Sequence, residues 1–133
     1  STAIQLTVRR PLDVMNSVLE FFAGRGALSL EGDLSAIDWS SIPGAACDSG
    51  GKSVTIPLEV DSVALLKSSV LPRVGIRSRI AHVIIKNADQ RLFAAYDWFG
   101  KGMVVVEAED GRRLCEILDR NGLIVESHTV EIH

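Results

Sequence analysis

The first hydrophobic pattern along the chain is an alternation: in "AIQLTVRR" polar residues separate Ile4, Leu6 and Val8. A period of two marks a half-buried strand. Behind Pro11 the period changes, and Leu12, Met15, Leu19 and Phe22 recur at helical spacing with Val18 beside them. A proline suits the first turn of such a helix, and the glycines of "GRG", Gly24 and Gly26, supply the left-handed cap that stops it. Alternation returns in "ALSLEGDL", where Leu28 and Leu30 share a face.

From Ser35 to Lys52 no period survives. "SAIDWSSIPGAACDSGGK" has the Ser, Gly, Pro and Asp density of a loop, and it predicts an excursion pinned to the body by Trp39 and Ile42. "SVTIPLEV" then alternates at Val54, Ile56, Leu58 and Val60; Pro57, which has no N–H for a ladder, places this strand at an edge. Asp61 is positioned to cap a short helix that Pro72 ends. "IAHVIIKN" and "RLFAAYDWF" flank "ADQ" as a hairpin, and "MVVVEA" is a further strand reached through Gly100-Lys101-Gly102. Asp110 would cap the helix in "GRRLCEILDRN", whose stripe is Leu114, Ile117 and Leu118. Gly122 ends it, with Leu123 folding back over the last turn. In the closing "IVESHTVEIH", Ile124, Glu126, His128, Val130 and Ile132 share a face whose polar members point to a sheet edge. The order predicts one α+β domain over residues 1–133: a single mixed or mostly antiparallel sheet with about three helices, ferredoxin-like in part.

Composition narrows the function classes. Of 133 residues 47% are hydrophobic and 23% charged, which excludes wholesale disorder, and only 5% are aromatic, so aliphatic packing carries the core. A formal charge of -3 offers no basic footprint for direct nucleic-acid binding and suits a basic partner instead. No run approaches the roughly 18 apolar residues of a membrane span, and "STAIQLTVRR" lacks signal-peptide order. Cys47 and Cys115 are too few for a disulfide scaffold and are not spaced as metal ligands. A cytoplasmic location without metal or cofactor is expected, with Cys115 a small buried hydrophobe.

Catalytic motifs are missing. "CDSGG" is the nearest approach to a nucleophile elbow, and its Ser49-Gly50-Gly51 reads as turn chemistry. His82, His128 and His133 are scattered singly, without the pairing zinc needs, and "GKGMV" lacks the length and following helix of a phosphate loop. Arg73, Arg77 and Arg79 form one basic group, with Arg77 and Arg79 on one face of a solvated edge. In "LFAAYDWFG", alternation would send Phe93, Ala95, Asp97 and Phe99 to one side and Leu92, Ala94, Tyr96 and Trp98 to the other. One face enters the core, and the other presents Tyr96 and Trp98 to a helix or to a partner.

The segment from Ile80 to Ile124, "IAHVIIKNADQRLFAAYDWFGKGMVVVEA" followed by "RRLCEILDRNGLI", resembles the C-terminal half of small bacterial immunity proteins of the polymorphic-toxin type. These neutralise a toxin domain delivered between neighbouring cells. The shared order is a hairpin, a Y-D-x-F turn, an apolar strand, a short helix and G-L-I into a last strand. The resemblance implies no catalysis. It implies binding to a cognate toxin domain, such as a basic nuclease, by occluding its active site or a nearby surface. Tyr96 and Trp98 would be the anchors, and Asp97, Glu107, Glu109, Asp110, Glu116 and Asp119 the carboxylates that meet a basic surface. Two other readings stand beside it: a regulatory α+β domain holding a small molecule between sheet and helices, and an enzyme using His82 or Asp97 in a cleft.

Overall fold

A computed structural model describes residues 2–48, 50–74 and 79–131. Ser49, Arg77, Ile132 and His133, discussed above, lie outside the described residues. In chain order the elements are β1 (Thr2–Val8), α1 (Pro11–Phe22), β2 (Ala27–Asp33), a 3-10 turn (Trp39–Ser41), β3 (Ala46–Cys47), β4 (Ser53–Pro57) and α2 (Val60–Leu65). A π turn (Leu66–Val70) and a 3-10 turn (Leu71–Arg73) prolong α2. There follow β5 (Arg79–Asn87), β6 (Gln90–Ala95), β7 (Val104–Val106), α3 (Gly111–Arg120) and β8 (Ile124–Glu131).

All eight strands join one open antiparallel sheet in the order β3-β4-β2-β5-β6-β7-β1-β8, and the fold is α+β as its sequence pattern predicts. Neighbours alternate in direction, so β7 and β8 run the same way with β1 between them, and α3 connects them. This is a split β-α-β unit, the ferredoxin-like element. At the other end the likeness stops, because three strands separate β1 from β2.

The ladder registers sort side chains onto two faces. One row runs Leu6, Val104, Ala95, Val83, Leu30 and Val54 across six strands, and a second runs Ile4, Val106, Phe93, Ile85, Leu28 and Ile56. Nearly all of these are fully buried. The helices cover this face: Phe22 of α1 stands 6.3 Å from the ring of Phe93. Gly111 of α3 lies so close to Val106 that an added Cβ would stand 2.7 Å from its Cγ1. Val63, Leu66 and Val70 from the α2 region join the same core. The opposite face bears the row Gln5, Val105, Ala94, Ile84, Ser29 and Thr55, half-buried to exposed except for Ala94.

Several local expectations need correction. β4 is one strand in from the edge rather than at it, and β3 covers only Val54 and Thr55, so Pro57 sits beyond the end of that pairing. Val60 begins a helix and is exposed instead of closing a strand. Glu59, not Asp61, holds the cap position of α2; its N–H donates to the Ser62 hydroxyl, which donates in turn to the Pro57 carbonyl. Asp110 occupies the cap position of α3 without a side-chain cap bond. The excursion after Ser35 carries two short regular pieces that its composition does not indicate, the 3-10 turn and β3. Trp39 and Ile42 are buried in it as expected, and the indole N–H of Trp39 donates to the Leu34 carbonyl. Hydrogen bonds from Ser40 lower the Asp38 carboxyl, and the Lys52 N–H does the same for Asp48. The end of α3 follows the sequence reading: Gly122 has φ +70°, and the Leu123 N–H reaches the Leu118 carbonyl at 2.9 Å.

Candidate functional site

The segment after β6 departs most from sequence expectation. Alternation stops at Ala95, and Asp97, Trp98 and Phe99 take φ of 51°, 49° and 63°. Three successive non-glycine residues in the left-handed region are costly, about 1–2 kcal/mol each. The Gly100 N–H donates to the Tyr96 carbonyl at 3.0 Å, closing one left-handed turn, and the Trp98 N–H donates to Ala81 at 2.7 Å. The first strand holds the far side: the Gly102 N–H donates to Thr7 Oγ1, and Gln5 Nε2 donates to the Gly102 carbonyl. Lys101 is exposed at the tip.

This winding redistributes the aromatic cluster. Phe99 turns into the core, 6.4 Å from Phe93. Trp98 stacks edge-on against Phe99 at 5.0 Å and stays half-buried, while Asp97 is exposed. The expected pairing of Tyr96 with Trp98 on one strand face is therefore not present. Tyr96 belongs to the helix-free face, its ring 5.3 Å from His82. His82 in turn accepts a long bond, 3.4 Å, from the Asp97 N–H, so its ring supports the turn.

On the helix-free face Arg91 links two of the predicted residues. Its Nη1 donates to the Tyr96 hydroxyl at 2.6 Å, and its Nε pairs with Glu107, whose side chain is only 16% exposed. Burial opposes the Arg91 charge, but the hydrogen bond and charge of Glu107 outweigh it and raise the guanidinium above its ordinary value. Ala94, between Arg91 and Tyr96 in the chain, is fully buried although no helix covers that face. Sequence reading missed Arg91 as the hub. It also missed Gln5 and Thr7, which hold the turn from a strand nearly a hundred residues away.

Of the other predicted carboxylates, Glu116 and Asp119 are exposed on α3, while Glu109 and Asp110 lie at the opposite end of β6. Asp110 pairs with Arg25 at 3.0 Å, and the Arg25 guanidinium also rests over Phe21 and Phe22. Glu109 is exposed on a shallow groove of about 360 Å³ beside this pair. The predicted acidic binding patch is thus not assembled: Glu107 and Asp110 are neutralised within the fold, and Asp97 stands apart from Glu109. A second shallow groove, about 340 Å³, lies between Arg10, Asp13 and Asn121. Among the described residues no cluster of His, Cys, Asp or Glu is arranged to hold a metal ion, and no helix is long and apolar enough to cross a membrane. Arg79 is exposed at the start of β5 and Arg73 in the 3-10 turn. No family of known proteins, no curated protein and no solved structure matches the chain.

Proposed function

We propose that the chain is a non-catalytic protein-binding module that neutralises a toxin domain, docking through the left-handed turn with Asp97 and Trp98 at the contact. The observation that carries this reading is the run of three left-handed non-glycine residues. Backbone strain persists where surroundings over-determine it, and it gathers at ligand clamps and recognition sites. Here the strain keeps a half-buried indole and an exposed carboxylate at the end of the sheet. Tryptophan is a favoured interface anchor because it covers large area with few rotatable bonds. Asp97 supplies the charge that meets a basic partner, a role that Glu107 and Asp110 give up to their internal arginines. The resemblance of residues 80–124 to immunity proteins supports a toxin as that partner.

The test is calorimetric titration of the full chain against an inactivated toxin domain encoded beside its gene. Asp97→Lys and Trp98→Ala should each weaken binding by about 2 kcal/mol or more. Asp97→Lys should slow association most at low salt, where steering is least screened. Wild-type affinity in both variants, or no binding by the parent, overturns the reading.

A further inference from the structure

The two edges of the sheet are unequal. β3 ends one side with two residues, while β8 ends the other with eight. Among the described residues nothing pairs with the outer edge of β8. It contains no proline, and Ile124, Val125, Thr129 and Val130 are β-branched. Val125 sits at a bulge, where Thr7 faces Glu126 but Val8 faces Ile124, and is 51% exposed. Such an edge is a template for another strand.

We propose that β8 pairs antiparallel with β8 of a second copy, about a two-fold axis through Ser127, merging two sheets into one. Two-fold pairing makes each contact twice, so an unfavourable pair is doubled and a favourable one likewise. With the axis at Ser127, Glu126 faces the second copy's His128, and the same pair recurs across the axis. Both side chains belong to the helix-free face, opposite Thr7 and Gln5, and within one copy they already stand 3.7 Å apart. Pairing therefore brings two carboxylates and two imidazoles together in alternation.

Neighbouring registers lose this match. An axis at Glu126 opposes the two copies of Glu126, and an axis at His128 opposes two imidazoles. The first of these sets like charges directly opposite each other, which is destabilising. The Ser127 axis also brings exposed Val125 across from Thr129, a pair of β-branched residues of the kind that stabilises sheets.

Sedimentation of the full chain over a concentration series tests this. A concentration-dependent dimer is expected. Glu126→Lys and Ser127→Lys should each weaken it about tenfold or more, which corresponds to about 1.4 kcal/mol. The melting temperature of the dilute monomer should hardly move, because both positions are exposed. The double exchange Glu126→Lys/His128→Glu sets lysine against glutamate and should recover the dimer. A chain that stays monomeric to about 1 mM overturns the proposal and leaves the edge to a strand of a different protein. So does a dimer indifferent to both lysines, or one that the charge exchange fails to restore. Asp97 and Trp98 lie off this edge, so substitutions there leave the dimer intact, and the two proposals fail separately.

Discussion

The two faces of the sheet are closed by different chemistry. On one, Phe93 and its row are buried beneath apolar side chains from the helices, and exclusion of water is the main stabilising term. On the other no helix is present, yet Ala94 is as fully buried as Phe93 beside it. There Arg91 ties the Tyr96 hydroxyl to the Glu107 carboxylate. Packing of the first kind is broad and non-directional. The second kind depends on three named groups with fixed geometry, so it concentrates its sensitivity in one side chain.

Substitutions on the two faces should separate accordingly. The largest loss is expected on the helix side: Phe93→Ala about 3–5 kcal/mol and Leu118→Ala about 2–5 kcal/mol in urea unfolding. A loss below roughly 0.5 kcal/mol for Leu118→Ala would mean that α3 does not bury this stripe. On the other face Arg91→Met should cost about 1–2 kcal/mol, because Glu107 and the Tyr96 hydroxyl lose their partner. The double substitution Arg91→Met/Glu107→Met should recover much of that loss, and no recovery would show that the charges were not coupled. Asp97→Gly should move the other way and raise stability by about 1 kcal/mol, since glycine adopts positive φ without penalty; it should also weaken partner binding. Unchanged or lower stability would show that the carboxylate contributes to the turn. The smallest effect concerns Cys115, half-buried on α3, whose thiol burial pushes up to about 11 from an ordinary 9.0. The unfolded thiol ionises first as pH rises, so stability should decline slightly between 9.0 and about 11, and Cys115→Ala should remove that decline. Exposed Cys47 should react with maleimide well before Cys115.

Much of the covered face was legible in the sequence because period and burial coincide there. Leu28 and Leu30, Val54 and Ile56, and Leu114 and Leu118 fall where alternation or helical spacing puts them. The turn was not legible, because alternation assumes that a strand continues, and nothing in "YDWFG" announces left-handed residues before the glycine. Phe99 joined the core through that winding rather than through strand parity. The acidic cluster misled for a related reason. Pattern shows where carboxylates lie along the chain, but Arg25 and Arg91, which neutralise two of them, come from elements that only the folded sheet brings close. Asp61 and Asp110 failed as caps because a nearby alternative was better placed: Ser62 for Glu59 in α2, and Arg25 for the Asp110 carboxylate.

The position of β1 has a consequence in time. Strands β3, β4, β2, β5 and β6 are neighbours in the sheet and come from one continuous stretch, residues 27–95. They can associate as soon as that stretch is available. Strand β1, although first in the chain, has only β7 and β8 as neighbours, and Gln5 finds its partner Gly102 at a separation of 97 residues. Closing so long a loop is entropically expensive and slow. The two ends of the chain are therefore expected to meet last, sealing β1 between β7 and β8. Until they do, the outer edge of β7 stays open to wrong partners, and the left-handed turn lacks the Gln5 and Thr7 side chains that hold it.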